Sequence, residues 1–235
     1  EKYNIKEVHV VPGDSDEKQT VKREMGRQAG QLLESILYED AIVSVTGGST
    51  MAYVSESIHL LPFNVFFVPA RGGLGENMVY QANTIASSMA QQAGGYYTTL
   101  YVPDNVSEST YNTLMLEPSV SHTLDKIKQA NVTIHGIGDA LKMAYRRQSH
   151  TDVIEKLQHH HAVGEAFGYY FDAQGNVVHK VKTIGLQLED LESKDFIFAV
   201  AGGQSKGEAI KAYLSIAPEN TVLITDEAAA KVILN

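Results

Sequence analysis

Two stretches of the sequence pair glycines with hydroxyl or amine side chains in a way that suits anion binding. Residues 41–54 read AIVSVTGGSTMAYV, and residues 196–210 read FIFAVAGGQSKGEAI. In each stretch an apolar run of strand length stops at two glycines, and a helix-like pattern follows. Glycine backbone and helix N-terminal amides can close around an anion, so Gly47, Gly48, Ser49 and Thr50 form a candidate phosphate site.

The first stretch alone fits an ordinary strand-to-helix turn equally well. It matches neither the dinucleotide fingerprint nor the lysine pattern of the P-loop. The second stretch repeats the same order of features and adds Lys206 where a phosphate would lie. Two such turns in one domain therefore favour a single ligand that carries anionic groups.

A third glycine-rich segment follows the next apolar run. Residues 69–75 read PARGGLG, and Arg71 stands directly before Gly72 and Gly73. A guanidinium can fork onto two phosphate oxygens, although a solvated loop charge is the alternative. Further along, Gln81 and Asn83 carry neutral amides that suit sugar hydroxyls, although exposure to solvent is the usual state of such side chains.

The elements that must position these residues are parallel strands joined by helices. Apolar runs at residues 8–11, 132–137 and 222–225 predict further strands, and residues 96–102 alternate like a strand. The carboxyl ends of parallel strands share one edge of a sheet, so the glycine-rich exits should converge there. The fold class is therefore α/β, as one large domain or two tightly joined halves.

Helix starts are predicted from short polar residues. Ser15 or Asp16 is expected to cap a long first helix, and Ser49 or Thr50 the helix after the first glycine pair. Asp226 is expected to cap the last helix, EAAAKVIL.

Residues 163–180 depart from the strand-and-helix alternation, because alternating aromatics are followed by the turn sequence DAQGN. This pattern predicts a β-hairpin that holds Glu165, either as a buried structural acid or as an acceptor for sugar hydroxyls. Before it, Arg146 and Arg147 stand near the end of a predicted helix. They suit the dipole of that helix end as well as they suit a phosphate.

Composition excludes several functions. The chain has 235 residues, no cysteine and a formal net charge of −9. Thiolate zinc sites and disulfides are thus absent, which fits a cytoplasmic protein, and the acidic balance argues against duplex DNA binding by this chain. Three consecutive histidines, His159 to His161, diverge by about 100° each on a helix and do not converge on one metal ion. No membrane span or signal peptide is evident, and the start at Glu1 without methionine suggests a segment of a longer protein.

Together the motifs resemble the sugar-binding domain of the SorC family of bacterial transcriptional regulators over nearly the whole chain. The ordered set is GGST, PARGG followed by Gln81 and Asn83, GIG, GEAFGYYFDAQG, VAGGQSKGEAI and VLITDEAAAKVIL. The resemblance implies a Rossmann-like parallel sheet with a small β-containing subdomain, similar to glucosamine-6-phosphate deaminase and ribose-5-phosphate isomerase. Many family members carry Gly-Asp where this chain has Gly164-Glu165.

The resemblance also implies a function. It indicates the effector domain of a repressor of glycolytic genes, induced by a phosphorylated sugar, with fructose-1,6-bisphosphate as the expected inducer and no cofactor. It implies a homo-oligomer, dimer or tetramer, that contacts operator DNA only through a helix-turn-helix domain preceding Glu1. No membrane partner is implied.

The resemblance assigns roles to twelve residues. One phosphate is held by the first glycine turn, the adjoining pocket is lined by polar and glycine residues, Glu165 accepts from sugar hydroxyls, and two cations supply charge to a phosphate. The twelve are Gly47, Gly48, Ser49, Thr50, Arg71, Gly72, Gly73, Gln81, Asn83, Arg146, Glu165 and Lys206.

An enzyme on the same fold, a sugar-phosphate isomerase or deaminase, is the competing hypothesis. Such chemistry needs a general base beside the reactive carbon of the sugar. The sequence offers Glu165 and Asp139 for that role, without an obvious partner for either.

Overall fold

Seven parallel strands form the central sheet of the computed structural model, which describes residues 2–74 and 77–235. In chain order they are β1 (Glu7–Val11), β2 (Ala41–Val45), β3 (Val65–Pro69), β4 (Tyr96–Tyr97), β5 (Val132–His135), β10 (Phe196–Val200) and β11 (Thr221–Asp226). Their order in the sheet is β1-β11-β10-β5-β2-β3-β4. Every neighbouring pair is parallel, so the predicted α/β fold is confirmed.

A small antiparallel sheet makes the added subdomain. Its strands are β6 (Gly138–Asp139), β7 (Gly164–Ala166), β8 (Tyr169–Phe171) and β9 (Val177–Lys180), paired in that order. The predicted hairpin around the turn DAQGN is the β8–β9 pair, and β7, which holds Glu165, pairs with the other edge of β8.

Nine α-helices are found within the described residues. They are α1 (Gln19–Ile36), α2 (Ser49–Glu56), α3 (Ala82–Ala93), α4 (Glu108–Leu114), α5 (Pro118–Gln129), α6 (Ala140–Arg146), α7 (Thr151–His159), α8 (Gly207–Leu214) and α9 (Glu227–Leu234). None of these helices is long and apolar enough to span a bilayer.

Helices cover both faces of the large sheet. One apolar core joins α1, α2 and α3 to the sheet through residues such as Met25, Met51 and Met89. A second core joins α8, α9 and the β7–β8 hairpin to the opposite face, with Tyr213 and Phe171 fully buried in it. Burial on both faces explains why the strands read as continuous apolar runs.

Two expected helix caps are wrong. Helix α1 begins at Gln19 with Lys18 at its N-cap position and no side-chain cap, because Asp16 instead accepts hydrogen bonds from the Ser205 amide and hydroxyl. Helix α2 is preceded by Gly48 as N-cap, again without a side-chain cap.

The strand expected over residues 96–102 is only two residues long. Asn83 explains the difference, since its side chain accepts from the Leu100 amide at 2.8 Å and donates to the Leu100 carbonyl at 3.1 Å. These bonds satisfy the Leu100 backbone in place of sheet pairing.

Asp226 caps α9 as predicted and also ties three chain segments together. Its Oδ1 accepts from the Ala229 amide at 2.9 Å, and its Oδ2 accepts from the amides of Ser15 at 2.8 Å and Gly203 at 2.7 Å. The carboxylate is completely buried, so it holds the exits of β1 and β10 beside the start of α9.

We expect Asp226→Ala to lower the free energy of unfolding by about 3 kcal/mol or more, because three backbone donors lose their acceptor in a buried place. Denaturant unfolding measures the change, with Asp125→Ala on the exposed face of α5 as the control. Equal stability of the two variants would contradict this account of Asp226.

Candidate functional site

The exits of β2, β3, β5 and β10 surround one cleft at the carboxyl edge of the large sheet. The volume of the cleft is about 970 Å³, which includes the part that is open to solvent. Eleven of the twelve residues proposed from sequence line it: Gly47, Gly48, Ser49, Thr50, Arg71, Gly72, Gly73, Gln81, Arg146, Glu165 and Lys206. The exits therefore converge as the parallel topology requires.

Asn83 is the exception among the twelve. It does not line the cleft, and its amide oxygen and nitrogen are both used on the Leu100 backbone. The structure thus gives Asn83 a structural role in place of the expected contact with a ligand. Gly75, which completes the third glycine-rich segment, lies outside the described residues, as does Glu1.

The first glycine turn presents backbone amides to the cleft. Gly48 has a φ of +122°, which a residue with a side chain rarely adopts, and its amide donates to the Tyr80 carbonyl at 2.8 Å. The first three amides of α2, from Ser49 to Met51, have no acceptor within the helix, and no side chain of the described residues caps them. This end of the cleft is suited to a phosphate.

The second glycine turn differs from the first, contrary to the expectation from their shared pattern. Its amides already have carboxylate acceptors: Gly203 donates to Asp226 at 2.7 Å, Gln204 to Asp14 at 3.4 Å and Ser205 to Asp16 at 2.7 Å. A Cβ on Gly203 would lie 2.5 Å from an oxygen of Asp16. The turn is therefore filled by internal acids and offers a ligand only the Lys206 side chain.

Lys206 occupies an electropositive, half-buried position at the cleft. Burial, and to a smaller extent nearby Lys22, Lys142 and Arg146, lower its pKa to about 8, and Asp16 acts in the opposite direction. No residue within 2–74 or 77–235 forms a hydrogen bond or salt bridge with its ammonium group. A bound anion would supply the missing counter-charge.

Arg71 does not extend a free fork into the cleft. Its Nε and Nη2 donate to the two oxygens of Asp104, both at 2.7 Å, and its Nη1 donates to Glu165 at 3.3 Å. The bidentate geometry predicted for a phosphate is thus used on a carboxylate of the chain itself. Arg71 still borders the cleft beside Gly72 and Gly73.

Arg147 completes a buried network that the sequence did not reveal. It donates to Glu165 at 2.8 Å, to Asp104 at 3.2 Å and to the Tyr170 hydroxyl at 2.8 Å. Sequence reasoning weighed Arg147 only as a helix-end charge or phosphate contact and did not single out Asp104. Spacing carries no signal for this network, since its members lie up to 94 residues apart.

Glu165 is held by the network through one oxygen. Its Oε1 accepts from Arg71, Arg147 and, at 2.6 Å, the Gly168 amide in the β7–β8 turn. Burial opposes ionisation, but the two guanidinium groups and the Gly168 amide hold the pKa of Glu165 below its ordinary value. Both sequence interpretations of Glu165 fit this placement, because it is buried and also borders the cleft.

His135 at the end of β5 lies under the cleft but does not line it. Burial lowers its pKa to about 4, so the ring is neutral near pH 7. The neutral ring donates from Nδ1 to the Gly136 carbonyl, and its Nε2 accepts a hydrogen bond from the Tyr213 hydroxyl; both contacts measure 2.9 Å. His135 therefore supports the sheet edge and does not face a ligand.

Comparison with known proteins places this cleft in a family. The family profile described as "Putative sugar-binding domain" matches residues 1–235. The central glycolytic genes regulator of Priestia megaterium is 50% identical over 98% of this chain and 68% of its own length, and that of Bacillus subtilis is 48% identical over 100% and 69%. The crystal structure of the "putative SorC family transcriptional regulator from Enterococcus faecalis" has a TM-score of 0.93 at 44% identity, covering 100% of this chain and 96% of that one.

This chain is a SorC-family sugar-binding domain. Its homologues are regulators of transcription, and two of them regulate glycolytic genes. Among the described residues of this SorC-family domain, the cleft combines open helix amides, an ammonium group and one carboxylate, which can bind anions and hydroxyl groups.

The residues of the cleft are less suited to acid–base catalysis than to binding anions and hydroxyl groups. The only carboxylate among the described residues lining the cleft is Glu165, and its ion pairs make it a weak base. Asp139, the other acid considered, caps α6 by accepting from the Lys142 amide at 2.9 Å. Among the described residues, no three His, Cys, Asp or Glu side chains are grouped so that they could hold a metal ion. The three consecutive histidines are therefore not a metal site.

We expect Glu165→Gln to destabilise the domain by about 3 kcal/mol at pH 7, since it leaves two buried guanidinium groups without a full counter-charge. A carboxyl group whose pKa falls on folding stabilises the protein above its unfolded pKa, and that stabilisation disappears as pH falls through the folded pKa. The difference between wild type and variant should therefore shrink below about pH 4.

Chemical unfolding at several pH values measures this difference, with Glu155→Gln on the exposed surface of α7 as the control. A gap between wild type and Glu165→Gln that stayed constant from pH 7 to pH 3 would rule out the ion-pair explanation.

Proposed function

We propose that this domain binds a phosphorylated sugar as the inducer of a bacterial repressor of glycolytic genes, and that the sugar is fructose-1,6-bisphosphate. The observation that carries the proposal is the pairing of two anion-binding features in one cleft. Open amides at the start of α2 form one feature, and the ammonium of Lys206, which has no partner among residues 2–74 and 77–235, forms the other. A ligand with two phosphates satisfies both.

Groups between these features suit the sugar itself. Glu165 and Gln81 border the cleft and can bind hydroxyl groups, and Gly72 and Gly73 border it without side chains. A Cβ on Gly72 would lie 2.5 Å from the Val102 carbonyl oxygen, so the backbone packs closely there. Arg146 adds positive charge at the cleft, as the family resemblance implies.

A sensor is favoured over an isomerase or deaminase. No histidine is among the described residues lining the cleft, and the one carboxylate there is held ionised by two guanidinium groups. The names of the relatives also describe regulators and no enzyme. We therefore propose a domain without catalytic activity or cofactor.

In the proposed regulator, a DNA-binding domain precedes this one in the longer protein, which works in the cytoplasm as a dimer or tetramer. The relatives extend beyond the matched region, which covers 68% and 69% of their lengths. Inducer binding releases operator DNA only if the ligand prefers one of two subunit arrangements. Scattering of the longer regulator with and without the bisphosphate measures such a change, and an unchanged profile at saturation would argue against it.

Thermal shift separates a bisphosphate site from a monophosphate site. We expect fructose-1,6-bisphosphate to raise the melting temperature by about 3 °C or more beyond fructose 6-phosphate at equal concentration, because the second phosphate adds charge-assisted contacts. Equal shifts for the two ligands would contradict a two-phosphate cleft. No shift with any phosphosugar would overturn the proposed function as a whole.

Lys206→Met should weaken bisphosphate binding about ten- to a hundredfold, the effect of removing one charge-assisted contact. In wild type, affinity should also fall as pH rises above about 8, because the lysine loses its proton in the free protein. The variant should lack this pH dependence. Calorimetry from pH 7 to pH 9.5 tests both effects, with Lys211→Met on α8 as the control.

The pH dependence of folding stability gives an independent test of the lowered pKa of Lys206. Between about pH 8 and pH 10.5 the unfolded chain holds the Lys206 proton more tightly than the folded one does, so this group makes ligand-free stability rise with pH there. We expect Lys206→Met to remove that rise without destabilising the fold. If Lys206→Met bound the bisphosphate with the same affinity as wild type at every pH, then Lys206 would contact no phosphate.

A further inference from the structure

Four buried charges beneath the cleft cancel one another. Arg71 and Arg147 are cationic, Asp104 and Glu165 are anionic, and their side chains are only 8%, 1%, 1% and 4% exposed. Each arginine contacts both acids. Removal of any one member therefore leaves a net charge of one unit at the cleft floor. Such a charge is unfavourable because buried charges are tolerated only when they are paired.

Only half of the Glu165 carboxylate is used by this network. All three donors to the group, from Arg71, Arg147 and Gly168, bind Oε1. No hydrogen bond reaches Oε2 from the described part of the chain, and Oε2 lies 3.4 Å from the position a Cβ would take on cleft-lining Gly138. Oε2 is therefore the oxygen that a ligand can reach.

The charge balance determines which donor suits Oε2. A neutral hydroxyl can donate to it without changing the charge of the cleft. An ammonium group brings one positive charge next to two guanidinium groups, while the only carboxylate of the described lining residues is already neutralised by them. Desolvation of the ammonium group then has no compensating ion pair.

We propose that Asp104 and Arg147, which do not line the cleft, are positioning residues whose charges make the cleft accept a neutral hydroxyl at Glu165 and reject an amino group. This specificity rests on the proposed function as a phosphosugar-binding domain. It selects phosphates of neutral sugars over phosphates of amino sugars.

The wild-type protein gives the first test. Glucose 6-phosphate and glucosamine 6-phosphate differ only by a hydroxyl and an amino group at one carbon. Calorimetry at pH 6.5, where the amine is protonated, should show the amino sugar binding at least about tenfold more weakly. This is the direction expected when an ammonium group is desolvated without a compensating ion pair. Equal binding, or tighter binding of the amino sugar, would overturn the proposal.

Two substitutions should change this preference in opposite directions. Arg147→Met leaves the network with one negative charge and should reduce the preference for the neutral sugar about tenfold. Asp104→Asn leaves one positive charge and should increase the preference by a similar factor. The double variant is neutral again and should return to the wild-type ratio, and Arg147→Lys should leave the ratio near wild type because it conserves charge.

A purely structural role for Asp104 and Arg147 predicts something else: both sugars would weaken together and the ratio would not move. That outcome would overturn the proposal, and so would a shift of the same sign in both single variants. If a single variant does not fold, the wild-type ratio and the charge-neutral double variant still decide. If no phosphosugar binds to wild type, including fructose-1,6-bisphosphate, then the proposed function itself fails, which is distinct from binding without discrimination.

Discussion

The ion-pair network of Arg71, Arg147, Asp104 and Glu165 is the constraint on which the cleft depends. Four charges are taken out of water at one place, and each would be strongly unfavourable if it stood alone. They come from the exit of β3, the loop before α4, the end of α6 and strand β7. Their mutual pairing therefore holds the small antiparallel sheet against the edge of the large one, where the cleft forms between them.

The network also determines the chemical roles that are open to Glu165 and Arg71, which border the cleft. An isolated carboxylate in such a place would have a raised pKa and could act as a base, but Glu165 is ionised and weakly basic because two guanidinium groups lie against Oε1. An isolated guanidinium would be a phosphate fork, but the fork of Arg71 is closed on Asp104. The same pairing thus disfavours catalysis at Glu165 and leaves phosphate charge to be met elsewhere, at α2 and Lys206.

Sequence reasoning was most successful where the physical signal is local or repeats along the chain. Apolar runs indicated the strands at residues 41–46 and 222–225, and parallel topology then required their exits to meet, so eleven proposed residues line one cleft. Asp226 was found as a cap because capping is a contact over three residues. The position of Asn83 outside the cleft was not foreseen, because its partner, Leu100, is bonded through the backbone, which has no sequence signature.

The two glycine turns show where such reasoning must stop. Their sequences share a pattern, yet the amides of Ser49 to Met51 after the first turn have no acceptor within α2, while those of the second turn are bound by Asp14, Asp16 and Asp226. Those acids come from the exit of β1 and the end of β11, which only the strand order β1-β11-β10 brings close to β10. No local pattern could distinguish an anion site from a turn already filled by carboxylates.

The filled turn nevertheless contributes to anion binding through charge. The chain carries a formal net charge of −9, so its overall field does not attract phosphates, but at physiological ionic strength a charge is felt in solvent over only about 8 Å. Asp14 and Asp16 accept hydrogen bonds from the backbone amides of Gln204 and Ser205. Of the described residues of that turn, only Lys206 borders the cleft. The acidic protein can therefore keep positive charge at the cleft, because Asp14 and Asp16 accept hydrogen bonds from backbone amides of the turn while Lys206 borders the cleft.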